Sequence, residues 1–218
     1  MKNFYLLIFS AAVVVSLAAQ GLPKNDPLAK TILDAVSLKF KSYKTTKATF
    51  VYKVESAANK VLSSKNGTIY MKGVKYRVSF IGQEIFCDGI NVWSFDKAAN
   101  EVSITQFDPE SNTLTPQKLF TNFYDDDFLY KLNSEKKQGT KIIQEIELTP
   151  TDKSKSFHKV YIYIDKIRKT ITGTKVMEKT GNRYIYSVTA LTTNSVIADS
   201  QFIFDAKKYP GVEVIDLR

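Results

Sequence analysis

The chain has 218 residues with 44% hydrophobic content, 14 Phe, 12 Tyr and a formal net charge of +9. One Cys cannot form an internal disulfide, and one Cys with one His falls short of a transition-metal site, so burial alone must stabilise the fold. The Lys residues are scattered and match no nucleic-acid-binding motif. Their excess indicates solubility or, as the alternative, a weak attraction to an anionic membrane surface or an acidic partner.

The first residues are typical of a secretory signal peptide. Lys2 precedes an apolar run, and the small residues Ser16, Ala18 and Ala19 offer a signal-peptidase site. A transmembrane anchor is the alternative, but it needs about 20 apolar residues and a charged stop. No Cys follows the run, which argues against a lipoprotein. We predict a signal peptide at 1–20 and a single exported domain at 21–218.

One amphipathic helix opens the expected domain, in the stretch DPLAKTILDAVSLKFKSY. Asp26 is a good N-cap, and Pro27 suits the first helical position. The apolar positions recur at helical spacing and form one stripe, made of Leu28, Ile32, Ala35, Val36 and Phe40.

Short alternating strands follow. TKATFVYKVES places Phe50 and Tyr52 on one face, and GTIYMK, KYRVSF, EIFCDG, NVWSFD and EVSITQF continue the pattern. Asp88-Gly89 predicts a tight hairpin turn, and the close spacing predicts an antiparallel meander. Cys87 has no base or metal partner nearby in sequence and is predicted to be a small apolar filler.

The middle of the chain, 108–135, lacks alternation. It predicts short helices, one starting at Thr115-Pro116 and one after the acidic run 125–127. Its apolar residues must be buried either in an ordinary core or as a lid over a cavity. Strands resume with TKIIQEIELTP, HKVYIYID, KTITGTKVME, NRYIYSVTAL and SQFIFD, and the tail is expected to be extended.

No catalytic constellation stands out. A hydrolase would need His158 as its base, but the Lys- and Ser-rich residues before it are typical of a solvated turn. No G-x-S-x-G motif or glycine-rich phosphate loop occurs, no pair of carboxylates is singled out, and the acidic run 125–127 lacks EF-hand spacing. We therefore predict a protein that is not an enzyme and has no metal or cofactor. A helix-capped sheet rich in Phe and Tyr instead favours an apolar, lipid-binding cavity.

Several stretches, in order, carry a resemblance to a known family: KATFVYKV, NGTIYMKGVKYRVSF, FCDGINVWSFDKAANEVSI, TPQKLF and FIFDAKKYPGVEVIDLR. Over roughly residues 26–218 the chain resembles the bacterial outer-membrane lipoprotein carriers, the LolA proteins. The resemblance implies a mainly β fold with helices (α+β), an unclosed antiparallel β-barrel or half-barrel. An N-terminal helix and short inserted helices would form a lid over an apolar cavity.

The resemblance also implies a function. The protein would be a monomeric periplasmic chaperone that takes acylated lipoproteins from an inner-membrane ABC lipoprotein exporter. It would shield their acyl chains and deliver them to an outer-membrane receptor lipoprotein. A related lipid-binding or envelope-stress-sensing module with the same open barrel is the alternative.

One position departs from the family pattern. Family members carry Arg-Pro after the strand that corresponds to GTIYMK, and this Arg ties the lid shut; here the residues are Lys72, Gly73 and Val74. Lys72 or Arg77 could substitute for it. Strand alternation predicts that the acyl-chain cavity is lined by Phe50, Tyr52, Ile69, Met71, Tyr76, Val78, Phe80 and Trp93. The lid and helix lining would be Ile32, Val36, Phe40, Leu119, Phe120, Phe128 and Leu129.

Overall fold

The computed structural model describes residues 25–109, 124 and 127–218, and their main feature is one large open sheet. Within these residues one α-helix, α1, spans Pro27–Lys41. The strands are β1 (Thr46–Glu55), β2 (Val61–Lys72), β3 (Lys75–Phe80), β4 (Gln83–Cys87), β5 (Asn91–Asp96), β6 (Glu101–Gln106), β7 (Phe128–Gln138), β8 (Lys141–Pro150), β9 (Phe157–Asp165), β10 (Thr170–Glu178), β11 (Arg183–Thr193) and β12 (Glu213–Asp216). Two short 3₁₀ turns, Asp199–Phe202 and Ala206–Lys208, precede β12.

The strand order shows that this sheet is not closed. It runs β12-β6-β5-β4-β3-β2-β1-β11-β10-β9-β8-β7, so β12 and β7 are its two edges. The expected unclosed, antiparallel, mainly β architecture is confirmed. One pairing departs from it, because the tail strand β12 lies parallel to β6.

The helix begins where the sequence predicts. An Asp26 carboxylate oxygen accepts the Leu28 backbone N–H at 2.8 Å, and Pro27 follows at the first helical position. The other oxygen of Asp26 accepts the backbone N–H of Leu132 on β7 at 3.0 Å. The N-cap therefore also fastens α1 to the edge of the sheet. No helix in the described part of the chain is long and apolar enough to cross a membrane.

Two predicted elements are wrong. The helix expected after the acidic run 125–127 is instead the start of β7, because Phe128 and Tyr130 point to one side and pair with Pro150 and Leu148 of β8. SQFIFD is not a strand of the sheet but a 3₁₀ turn followed by irregular chain. Its alternation arises because Phe202 and Phe204 both bury their rings. The signal peptide and the helix at Thr115-Pro116 lie outside the described residues.

Candidate functional site

The face of the sheet that α1 covers is called the inner face here. The buried residues Ile32, Val36 and Leu33 of α1 pack on β7, β8 and β9, in a core that includes Tyr130, Ile146, Leu148, Ile162 and Ile164. The helix residues Ile32 and Val36 therefore lie in this core, as expected of a helix lying against the inner face. The core fixes which side of each strand belongs to the inner face.

Cross-strand register extends the inner face into the first half of the chain. Ala48 of β1 pairs with Ile69 of β2, which pairs with Val78 of β3; in the same way Met71 pairs with Tyr76. Residues directly opposite in an antiparallel pair share a face. The buried members Ile69, Met71 and Tyr76 form a second core with Ala48 and Cys87, and Phe40 of α1 packs against it.

Five half-buried rings form a cluster further along the inner face, which we call the aromatic patch: Phe50, Tyr52, Phe80, Tyr184 and Tyr186. Tyr52 is central. Its ring centroid lies 5.0 Å from that of Phe80, 4.9 Å from that of Tyr186 and 6.0 Å from that of Tyr184, on which it stacks. Phe50 contacts Phe80 at 5.6 Å and Tyr186 at 6.1 Å. Such offset and edge-on pairs stabilise one another beyond simple burial.

Tyr184 and Tyr186 were missed in the sequence. They alternate within RYIYSV, which places them on one face of β11, but their contact with Tyr52 depends on the pairing of β11 with β1. That pairing joins residues more than a hundred positions apart and has no local signal.

The tyrosines of the patch are uncharged. Burial raises the pKa of Tyr52 to about 12, helped by the nearby Tyr186 and Tyr184. Burial also raises the pKa of Tyr186, with a smaller contribution from Tyr184. The patch thus presents apolar ring surface with a few neutral hydroxyls, which suits an apolar ligand that carries carbonyl groups.

Coverage of the inner face is uneven. Helix α1 starts at the β7 edge and ends beside the beginning of β1, so it lies over the end of the sheet where Ala48, Ile69 and Tyr76 are buried. The patch lies toward the other end, from the middle of β1 onward, and its rings are only half-buried. A small cavity of about 190 Å³ opens beside the end of α1, lined by Phe40, Lys41, Tyr43, Lys44, Thr45, Thr46, Met71 and Gly73.

The predicted lid residues separate into three groups. Phe128 is buried on the inner face and stacks on Phe157 with ring centroids 6.3 Å apart. Leu129 is on the same strand but one position along, so it points to the outer face and does not line the inner one. Its assignment to the lid is corrected by this alternation. Leu119 and Phe120 lie outside the described residues.

Trp93 lies on the outer face, apart from the other seven predicted cavity residues. It pairs with Phe86, whereas Val92 pairs with Cys87 of the inner-face core. Trp93 packs instead against a third cluster, which contains Phe86, Phe95, Val102 and Phe204 and is covered by Tyr209 and Val212. Its placement in the cavity is therefore corrected. The alternation of the strand was right, but both of its faces are apolar because the C-terminal segment covers the outer one.

Neither candidate for the lid latch points to the inner face. Lys72 donates to Asp199 at 2.7 Å and to the Ile197 carbonyl at 3.3 Å, so it fastens the C-terminal segment. The Arg77 guanidinium lies 4.5 Å from the ring of Phe86 on the outer face and donates to Glu84 at 2.6 Å. Neither Lys72 nor Arg77 therefore takes the place of the Arg that ties the lid shut in family members.

The described residues offer no metal site built from three or more His, Cys, Asp or Glu side chains. Cys87 is fully buried, and burial is the main reason that its pKa is raised, so the inert thiol is favoured. His158 is exposed on β9. The inner face can therefore bind an apolar group, but it brings no nucleophile and base together among these candidates.

Comparison with known proteins agrees with this geometry. The family model "Outer membrane lipoprotein carrier protein LolA" matches residues 41–205, more than half of the chain. A search of the curated proteins gives no match. Among solved structures, an uncharacterized conserved protein from Thermus thermophilus superposes with a TM-score of 0.60 at 13% identity, over 87% of this chain and 99% of that one.

Two further solved structures are similar. A LolA superfamily protein from Nitrosomonas europaea has a TM-score of 0.41 and 12% identity, over 81% of this chain and 98% of that one. MucB in the Pseudomonas aeruginosa MucA/MucB complex has a TM-score of 0.48 and 16% identity, over 82% of this chain and 62% of that one. At 13% identity the Thermus thermophilus structure shows the fold alone. The family match decides the assignment: the chain belongs to the LolA family, a membership that suggests lipid or lipoprotein binding in the cell envelope rather than catalysis.

Proposed function

We propose that the protein is a periplasmic chaperone that shields the acyl chains of lipoproteins on its inner face and carries them from the inner to the outer membrane. The observation that carries this proposal is the aromatic patch of Phe50, Tyr52, Phe80, Tyr184 and Tyr186, which stays half-buried beside a closed apolar core. Apolar rings left partly exposed on the inner face of an open sheet are unusual unless a ligand covers them.

The energetics suit a carrier. Burying an acyl chain contributes about 0.8 kcal/mol per methylene, so ten methylenes would contribute about 8 kcal/mol at full burial and less where one side stays in water, before the cost of ordering the chain. No covalent step is needed for such binding.

The patch and the α1-covered core have different roles in this proposal. An acyl chain can contact Tyr52 and Phe80 without moving α1, whereas Ile69, Met71 and Tyr76 are already buried beneath Phe40. We infer that the patch receives the first acyl chain. Deeper binding along Val78, Ile69 and Met71 would then require α1 to move.

The proposed partners follow from the carrier role. They are acylated lipoproteins as cargo, an inner-membrane ABC lipoprotein exporter as donor and an outer-membrane receptor lipoprotein as acceptor. The protein would act as a monomer in the periplasm, after removal of residues 1–20.

The direct test is uptake of an acylated lipoprotein, or of a fluorescent fatty-acyl probe, by purified residues 21–218. The variant Tyr52→Ser/Phe80→Ser should bind about tenfold more weakly or worse, since it removes the centre of the patch. The matched control is Tyr70→Ser, because Tyr70 is also a half-buried strand tyrosine but points to the outer face beside Lys47. Equal loss in both variants, or no uptake by the unmodified protein, would refute the proposal.

A second measurement separates the carrier from a binding module with another ligand. Depleting the protein in its native bacterium should leave lipoproteins at the inner membrane. If lipoproteins sort normally and mass spectrometry finds a different lipid bound to the purified protein, the lipid-binding site stands and the lipoprotein-carrier role fails.

A further inference from the structure

One end of the sheet presents exposed aliphatic side chains on successive connections. Because neighbouring strands are antiparallel, the end of α1, the hairpins β2–β3, β4–β5 and β9–β10, and the segment that leaves β11 all lie at the same end. The β7–β8 turn, 139–140, also lies there and carries no aliphatic side chain. We call residues 41–45, 72–75, 88–91, 165–170 and 193–199 the α1 end. Four of its connections carry an exposed aliphatic residue: Val74 (56% exposed), Ile90 (68%), Ile167 (73%) and Val196 (102%).

Contacts between these connections join most of them into one surface. The Val74 side chain contacts the β4–β5 turn, since a Cβ built on Gly89 would stand 3.0 Å from its Cγ2. The start of β1 is joined to the segment after β11, where Thr45 donates to the Ser195 carbonyl at 2.6 Å. Gly73 of the β2–β3 turn and Lys41 and Lys44 of the helix terminus border the same small cavity.

Positive charge surrounds the exposed aliphatic residues. The basic side chains of the α1 end include Lys41, Lys44, Lys72, Lys75, Lys166 and Arg168. Its carboxylates are fewer and serve the turns themselves, and Lys166 is paired with Glu135 of β7 at 2.7 Å. Asp88 accepts the Ile90 and Asn91 backbone N–H groups, Asp165 accepts those of Ile167 and Arg168, and Asp199 binds Lys72 and Lys75.

The opposite end of the sheet is equally basic, with Lys60, Lys97, Lys153, Lys155 and Lys179, and differs in its aliphatic side chains. Its connections 97–100, 151–156 and 179–182 contain no aliphatic residue larger than Ala. Exposed aliphatic side chains occur there at Val61, Leu62 and Ile81, beside only two of the turns. Scattered exposed aliphatic residues are ordinary, but one on each of several neighbouring connections within a basic border is not.

We propose that the α1 end docks on the surface of an anionic lipid bilayer. Short aliphatic side chains on turn tips can enter the headgroup region, while Lys and Arg stems lie along the surface and their charged heads reach the anionic phosphates. Charge complementarity selects this occupant, because the protein is basic and the cations lie beside the apolar tips. The inference does not depend on lipoprotein carriage and holds for any lipid-binding role of the inner face.

The test is co-sedimentation of residues 21–218 with phospholipid vesicles. Vesicles with about one third phosphatidylglycerol should retain the protein at low ionic strength, and neutral phosphatidylcholine vesicles should not. Val74→Ser/Ile90→Ser/Ile167→Ser should lower the bound fraction about tenfold, because it removes the apolar tips. Its control is Val61→Ser/Leu62→Ser/Ile81→Ser, which removes comparable exposed side chains from the opposite end.

Charge is tested separately with Lys44→Gln/Arg168→Gln against Lys60→Gln/Lys153→Gln, two pairs that change the net charge equally. Only the first pair should weaken vesicle binding and make that binding less dependent on salt concentration.

The proposal is overturned if the protein does not bind anionic vesicles, if it binds neutral vesicles equally well, or if variants at the two ends lose binding alike. Loss of vesicle binding in Tyr52→Ser, with the α1-end variants unaffected, would also overturn it, because lipid would then enter through the aromatic patch. Thermal unfolding monitored by circular dichroism verifies that each variant folds.

Discussion

The ring of Phe50 lies over the backbone of Gly67, its direct cross-strand partner on β2. A methyl group at Gly67 would stand 2.6 Å from Cε2 of Phe50, well inside van der Waals contact. Gly67 does not have a positive φ, so glycine is needed at this position for the space that it leaves and not for its backbone freedom. It lets a large ring lie on the inner face at a point where two strands pair.

Gly67→Ala should therefore displace the Phe50 ring and disturb the aromatic patch. Overpacking of this kind costs about 1–3 kcal/mol in the free energy of unfolding. The measurement is urea denaturation of the variant alongside acyl-probe binding. In a Phe50→Leu background the same change should cost much less, because the smaller side chain vacates the space. Equal costs in both backgrounds would show that the Phe50 contact is not the cause.

Trp93 offers a spectroscopic check on the two faces of the sheet. It is the only Trp, and it packs against the outer-face cluster that contains Phe95 and Phe204. An acyl probe bound at the aromatic patch should leave its emission maximum unchanged. Phe204→Ala should shift the emission to longer wavelength and cost about 3 kcal/mol in stability, since it opens a cavity in the cluster against which the indole packs. If probe binding shifted the Trp93 emission strongly and Phe204→Ala left it unchanged, the ligand would lie on the outer face.

Local patterns predicted α1 and most of the strands, whereas the residues that meet at the aromatic patch depend on long-range strand pairing. Asp26, Pro27 and the apolar spacing that follows define α1, because capping and amphipathicity are encoded within a few residues. Alternation likewise predicted that Phe50 and Tyr52 share a face. It could not say which face Trp93 takes, since the C-terminal Phe204 makes the outer side apolar as well. Tyr184 and Tyr186 enter the patch only through the β1–β11 register.

Glu84 is a buried carboxylate that should stabilise the outer face of the β3–β4 hairpin. Burial by itself would raise its pKa, but hydrogen bonds from Lys97 and Arg77, each at 2.6 Å, outweigh burial and hold the pKa below its usual value. Glu84→Gln should cost about 2 kcal/mol in the free energy of unfolding near neutral pH.

The pH dependence of that cost has a definite sign. A carboxylate whose pKa is lowered on folding stabilises the protein above its unfolded pKa, and the stabilisation is lost as pH falls through the folded pKa. The difference between the native protein and Glu84→Gln, measured by urea titration, should thus be constant near neutral pH and shrink below about pH 4.5. A difference that grows on acidification would contradict this assignment. Glu101→Gln, on β6 two strands further on, is the control for a generic loss of negative charge.

Asp199 should fasten the C-terminal segment to the β2–β3 turn through Lys72 and Lys75, and we call these two contacts the clasp. Its two carboxylate oxygens accept hydrogen bonds from Lys72 at 2.7 Å and Lys75 at 2.8 Å, which join the segment after β11 to the β2–β3 turn. These hydrogen bonds lower the pKa of Asp199 to about 2. The contribution of the clasp to stability is then complete above the ordinary aspartate pKa of 3.8 and fades as pH falls through about 2. Asp199→Asn should remove it at neutral pH.

Hydrogen exchange of residues 194–204 is the most direct readout. At neutral pH their amides should exchange faster in Asp199→Asn than in the native protein, while the amides of β8 and β9 remain protected, because these strands belong to a separate core. Asp205→Asn is the matched control, since Asp205 caps the neighbouring 3₁₀ turn by accepting the Lys207 N–H and does not contact β2. Faster exchange throughout the sheet in Asp199→Asn would mean that the clasp supports the whole fold. Unchanged exchange in 194–204 would mean that burial of Phe202 and Phe204 holds the segment without it.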